Sequence, residues 1–126
     1  MDDRIRDALE RGGIIDITTT GAKSGAARRI EIAFHYFDGE YFITGRPGFR
    51  RDWLANLKSN PEFTVHLKRD VQADVEARAI EISDPERRSQ VLYRILTESW
   101  DNEPAKAEQI LPQWVESAPL VEFELA

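Results

Sequence analysis

A chain of 126 residues with 41% hydrophobic and 10% aromatic content is long enough for one folded domain with a real core. A net charge of −6 argues against general nucleic-acid binding, and the lack of cysteine excludes disulfides, thiolate catalysis and thiolate metal sites. No apolar run approaches the roughly 20 residues that cross a bilayer, and the charged start MDDRIRDALERGG has no signal-peptide core, so a cytoplasmic protein without a transmembrane segment is expected.

The first element is a short helix over residues 2–11, with Ile5 and Leu9 four apart and Gly12-Gly13 ending it. Ile14 to Thr20 is almost all Ile and Thr and reads as a strand. After a glycine loop, Arg28 to Phe37 is a second strand. Ile30, Ile32, Phe34 and Tyr36 share one face of it, and Glu31, Ala33, His35 and Phe37 share the other. Asp38-Gly39 signals a two-residue hairpin turn, and Glu40 to Thr44 returns. Gly45, Arg46, Pro47 and Gly48 break the pattern before a helix from about Arg51 to Ser59, which Asn60-Pro61 stops.

Phe63, Val65 and Leu67 mark a fourth strand, and Val71, Ala73, Val75 and Ala77 a fifth. The apolar phase then slips to Ile80 and Ile82, which predicts a bulge near Arg78-Ala79. Ser83 to Glu86, with Pro85 inside, predicts a helix start, and the helix extends to about Glu98. A further helix spans Ala105 to Val115, with a break or kink expected at Pro112. Leu120 to Leu125 closes the chain as a sixth strand. The sum is one α+β domain over residues 1–126. About six mostly antiparallel strands form a barrel from 14–82 and 119–125, with flanking helices including a helical segment at 84–115.

Charge is uneven along this plan. Between Gly21 and Lys58 stand seven basic residues (Lys23, Arg28, Arg29, Arg46, Arg50, Arg51, Lys58) and four acidic ones, a net of +3 that leaves −9 for the remainder. A positive island on an acidic body suits a small anion better than a long polyanion. Its centre is TTTGAKSGAARR, residues 18–29, where glycines free the backbone to turn N–H groups toward a ligand beside Lys23, Arg28 and Arg29. Gly21 to Gly25 is not a P-loop, because Ala22 and Ile17 stand where that motif needs glycine. An anion cradle and a flexible hairpin loop with a solvated lysine both fit the local sequence.

A second anion-binding candidate is GRPGFRRDWLAN, where a glycine loop leads into a helix start. Trp53 there suits core packing or the flank of a ring system, and Asn56 suits solvent or the same loop. His35 and His66 fall on polar strand faces, where histidines are usually exposed. Two histidines without cysteine or metal-ligand spacing predict no metal site. Trp100, in a polar loop between helices, is a candidate pocket-mouth aromatic.

TTTGAKSG followed by arginine, a strand, D-G, a glycine loop and RDWLANLKSNPEFTVHLK resembles the deazaflavin (F420)-dependent nitroreductase and quinone-reductase family, over roughly residues 14–82. The resemblance implies a split β-barrel, often dimeric, that binds the deazaflavin coenzyme F420 and reduces a small organic acceptor (quinone, nitroaromatic or enone). It implies that Lys23, Ser24 and Arg28 hold the phosphate-bearing tail, that Trp53 and Asn56 lie beside the coenzyme cleft, and that Ile32, Ala33, Phe34, Thr44, Gly45 and Arg46 lie near the ring. Arg29 joins them as a neighbouring cation. Arg46, His35 and Tyr36 are weaker candidates for polarising the reactants or supplying a proton. Glu31 stands where the family commonly has proline, and the last third shows no matching tyrosine cluster. The expected partners are a small-molecule substrate and a second copy of the chain. The competing readings are an FMN-binding split-barrel flavoprotein and a non-enzymatic binder of a flavin-like or tetrapyrrole ligand.

Overall fold

Local sequence accounts for most element boundaries in the computed structural model, which describes residues 1–126. Helix α1 (Asp3–Arg11) starts where the Asp2 carboxylate accepts from the Arg4 N–H, and Gly12 at φ 73° ends it. Strands β1 (Gly13–Thr20) and β2 (Ala27–Phe37) pair from Gly13↔Phe34 to Thr20↔Ala27. Asp38 and Gly39, both at positive φ, turn β2 into β3 (Glu40–Thr44). Then come α2 (Asp52–Ser59), β4 (Glu62–Leu67), β5 (Ala73–Glu81), α3 (Pro85–Arg94), a π-helical turn (Ile95–Ser99), α4 (Pro104–Ser117) and β6 (Leu120–Leu125).

The six strands close into an antiparallel barrel in the order β1-β2-β3-β6-β5-β4, with β4 returning to β1. The closure is unequal. β2 is paired with β1 along residues 27–34, but β3 meets it only at residues 35–37. The other edge of β2 is therefore open over residues 27–34, where its backbone N–H and C=O groups lack a strand partner. This is the split β-barrel with flanking helices that the resemblance implies. No helix is long and apolar enough to cross a membrane.

Alternation along the strands builds two apolar clusters. One fills the barrel around Ile15, Ile17, Phe34, Ile43, Val65 and Phe123, and Trp53 and Leu57 of α2 cap it. The other lies outside the barrel wall, where α3, the π turn and α4 cover Phe42 and Leu120. The outer face of β2 and β3 is thus roofed by helices, and the polar face that β2 shows in the sequence is partly interior.

Four expectations are corrected. β5 holds one unbroken register against both β4 and β6, so there is no bulge at Arg78-Ala79; Ile80 simply points outward and is 43% exposed. The α3 cap is Asp84, whose carboxylate accepts from the Arg87 N–H at 2.8 Å, and not Ser83. α3 ends as an α-helix at Arg94 and winds on as a π turn, in which the Trp100 N–H reaches the Ile95 carbonyl at 3.1 Å. α4 runs unbroken through Pro112. Pro112 is on the exposed face, where water can serve the carbonyl that loses its donor, while Ala107 and Trp114 are buried on the other side.

Arg88 ties the second cluster together. Its guanidinium donates to the carbonyls of Val115 at 2.8 Å, Ile82 at 3.0 Å, Trp114 at 3.3 Å and Ala118. It serves the orphan carbonyls at the end of α4 and ties α3 to Ile82, just past β5, at once. Arg88→Ala should lower unfolding stability by about 3 kcal/mol. Arg88→Lys, with no planar fork, should recover less than half of that loss in urea denaturation.

Candidate functional site

The loop between β1 and β2 is held by its own bonds. The Gly21 N–H donates to Ala26 O at 2.8 Å, the Gly25 N–H to Gly21 O at 2.9 Å, and the Ala26 N–H to Ser24 Oγ at 3.1 Å. A Cβ at Gly21 would stand 2.5 Å from Ser24 Oγ, so a side chain there would push Ser24 off its bond to the Ala26 N–H. Asn56 of α2, buried, clips the loop from the other side. Its Oδ1 accepts from the Ala22 N–H at 2.9 Å and its Nδ2 donates to Thr19 Oγ1 at 3.1 Å. The loop is therefore braced from both sides, while Lys23 on it is exposed and unbonded.

The clip leaves a cleft of about 350 Å³ between the loop and α2. Lys23, Ser24, Arg28, Trp53 and Asn56 all line it, as do Ile30, Arg50 and Asp52. Trp53 belongs to the barrel core and to the cleft wall together. Neither Lys23 nor Arg28 enters an ion pair, whereas the neighbouring Arg29 is taken by Asp16 at 3.0 Å. Arg50 sits 3.8 Å from Asp52, both well exposed, which is a weak pairing. α2 starts at Arg51 with no side-chain cap, so its first N–H groups are also unclaimed. Two unpaired cations and an uncapped helix start give this hollow a positive lining suited to an anion, with Asp52 its one carboxylate.

The remaining candidates divide. Ala33, Phe34, His35 and Tyr36 line a second cleft of about 660 Å³ at the other end of β2. Arg29, Ile32, Thr44, Gly45 and Arg46 line neither. Arg29 and Lys68 together grip Asp16 and hold its carboxyl below the usual range, Lys68 more strongly. Ile32 packs against the barrel core. The Thr44 hydroxyl is buried and donates to the Pro119 carbonyl. Gly45 lies under the Arg51 guanidinium, which donates to the carbonyls of Arg46 at 2.9 Å and Phe49 at 2.8 Å and so stitches the loop. Arg46 itself is exposed.

Both histidines are buried, at 6% and 8% exposure, and not on open polar faces. His35 is covered by the π turn: Nδ1 meets Ser99 Oγ at 2.9 Å, and Nε2 is enclosed without a partner. Burial pushes this imidazole down to about 4, so the ring is neutral near pH 7. His66 is enclosed by a cross-strand row, with Nε2 2.6 Å from Thr18 Oγ1 and Nδ1 2.7 Å from Asp74 Oδ1. Trp100 stands at the mouth of the larger cleft, 39% exposed, as its loop position suggested. Arg50 and Ser99 are additions from the structure. Arg50 was visible only as part of a basic run, and nothing in the sequence announces Ser99.

Fold and site together define a coenzyme-binding split-barrel oxidoreductase. The family model for F420H(2)-dependent quinone reductases matches residues 2–117, and the chain belongs to that family. It is an F420-dependent reductase, with F420 as its coenzyme. Among solved structures, an F420-H2 dependent reductase is 26% identical, matched over 89% of this chain and 94% of its own, with a TM-score of 0.62. A structure described as a domain-swapped dimer is 27% identical, over 97% of this chain and 95% of its own, at 0.55. A conserved hypothetical protein from Mycobacterium tuberculosis, 16% identical over 97% and 78%, shares the fold at 0.74. No curated protein matches the chain by sequence.

The Asn56 clip predicts that Asn56→Ala costs about 2 kcal/mol, with much faster hydrogen exchange at the Ala22 amide. His35 predicts a pH dependence. Its folded pKa of about 4 lies below the unfolded 6.5, so the unfolded chain takes up the extra proton as pH falls. The stability of the neutral ring is whole above pH 6.5 and is lost toward pH 4. The slope is about 1.4 kcal/mol per pH unit. Urea unfolding of His35→Gln at pH 7 and pH 4.5 should lack roughly 2 to 3 kcal/mol of the acid loss seen in the parent chain.

Proposed function

We propose that this chain reduces a small quinone-type acceptor with F420H2, and that the cleft between the β1–β2 loop and α2 holds the anionic tail of the coenzyme. The supporting observation is the pair of unpaired cations, Lys23 and Arg28, beside the uncapped start of α2. That donor set fits a phosphate-bearing tail. Arg50, only weakly held by Asp52, is a third cation for a tail with further carboxylates.

When bound, F420H2 supplies a hydride, two electrons with one proton nucleus, which together with a proton from solvent turns a quinone into a hydroquinone. The chain's own part is to bind, orient and exclude water. Lys23 and Arg28 attract the tail, and Ser24 and the first N–H groups of α2 offer it hydrogen bonds. Asn56 keeps loop and helix at a fixed separation, so the cations are set in place before binding. The open edge of β2 offers unpaired backbone donors and acceptors to a planar ring along residues 28–34. A homodimer is part of this reading; it is supported by the open β2 edge and by the 27% identical structure described as a domain-swapped dimer.

Arg28→Glu should weaken F420 binding by more than about tenfold, because it replaces attraction with repulsion at the tail. Arg29→Glu, one residue on but turned toward Asp16, should change it by less than about threefold. Fluorescence titration of F420 separates the two, and equal effects would sink the assignment of the tail to this cleft.

A further inference from the structure

Both the coenzyme ring and a second copy of the chain have a claim on the open edge of β2, and one edge cannot serve both at once. β3 pairs with that edge at His35 and Phe37, the hydrogen-bonded positions beside a two-residue turn. Alternation puts the N–H and C=O groups of Ala27, Arg29, Glu31 and Ala33 on the same edge, where no strand takes them. A row of free donors and acceptors is a template for another strand. The stretch is accessible: Ala27, Arg28, Arg29 and Glu31 are exposed, and Ile30 and Ile32 are half-buried.

Self-pairing about a two-fold axis is antiparallel, and its hydrogen bonds require those four residues to face one another. A register that sets Arg29 against Arg29, or Glu31 against Glu31, opposes like charges and is unfavourable. With Ile30 on the axis, Arg29 of each copy faces Glu31 of the other, and Ala27 faces Ala33. Charge therefore selects one register, which makes about eight hydrogen bonds. Both charged side chains have a side to spare. Arg29 is 56% exposed beside Asp16, and Glu31 is 64% exposed beside Lys68. On the opposite face Ile30 meets Ile30, and Arg28 of each copy meets Ile32 of the other. The two Arg28 side chains are thereby kept about 14 Å apart.

We infer that the coenzyme-free chain pairs with a second copy through this edge in this register, and that F420 and the second copy exclude each other there, so that coenzyme binding releases monomers. The inference rests on the coenzyme reading above, in which the ring lies along residues 28–34. Linkage makes the exclusion reciprocal: coenzyme dissociates the dimer, and a higher chain concentration weakens coenzyme binding. An interface of one strand pair is small, so the dimer is weak and exchangeable.

The test is sedimentation velocity of the full chain over a range of concentrations, with and without F420, alongside fluorescence titration of the coenzyme. The parent should dimerise as its concentration rises, and saturating F420 should return it to monomers. At about a hundredfold above the dimer dissociation constant, apparent F420 affinity should be about tenfold weaker than at dilution. Arg29→Glu and Glu31→Arg each oppose like charges, so each alone should stay monomeric and keep its dilute F420 affinity at every concentration. Mixed one to one, the two variants oppose unlike charges at both positions and should form a heterodimer. Ala27→Pro removes an edge donor without touching either ion pair or the bonds to β1, and should weaken the dimer by about tenfold. A parent that binds F420 and stays monomeric overturns this inference alone, and so does a dimer that saturating F420 leaves intact. Dimers that persist in both single-charge variants, or a mixture that forms no heterodimer, overturn the register. A parent that dimerises but binds no F420 overturns the coenzyme reading, and the exclusion with it.

Discussion

The structure turns on how one long strand is shared. β2 has eleven residues, and it gives the first eight to β1 and the last three to β3. A barrel closed by only three residue pairs at that seam is shut at one end and parted at the other. The parted length exposes a strand edge inside a folded protein, which an ordinary sheet would cover or charge. Here it is flanked by the cationic loop at one end and by the helix-roofed aromatic cleft at the other. Both clefts inherit their positions from that division, because each is lined by a different stretch of the same strand.

The seam needs bracing, and side chains supply it from both sides. Asn56 joins α2 to the loop below the parted edge. Arg94 reaches Asp38 in the β2–β3 turn from α3 and lies over the Phe37 ring at 4.6 Å. Arg87 does the same two turns earlier in α3, bonding Glu40 at 2.6 Å. The second apolar cluster is therefore more than a lid on the barrel. It holds the short closure in register, and Arg88 ties that cluster to the end of α4 and to Ile82.

Much of this was legible in the sequence. Period-two runs of Ile, Phe and Val placed all six strands, and the D-G turn fixed the β2–β3 hairpin, because pleat and turn chemistry are local. Lys23, Ser24, Arg28, Trp53 and Asn56 could be gathered by pattern, and they share a cleft. The failures are tertiary. His35 looked solvent-facing because alternation tells which side of a strand a residue is on, and not what covers that side. Arg29 and Arg28 are equal in a charge count, yet strand alternation sends one to Asp16 and leaves the other free. No local pattern announced that the Thr44 hydroxyl donates to the Pro119 carbonyl or that the Arg51 fork holds the Arg46 and Phe49 carbonyls. Ile80 looked like a phase slip because an apolar side chain pointing to water imitates one.

The π turn carries a consequence for how such a protein changes its tastes. Five residues, Ile95 to Ser99, are wound one per turn more loosely than the α-helix they extend. Loss of a single residue there would return the segment to ordinary winding and swing the following indole by about 100°. The mouth of the aromatic cleft could thus be re-dressed by one codon deletion, with the barrel, the seam and the cationic loop untouched. Lineages sharing this scaffold would then diverge in what they admit through insertions and deletions at this turn sooner than through replacement of barrel residues.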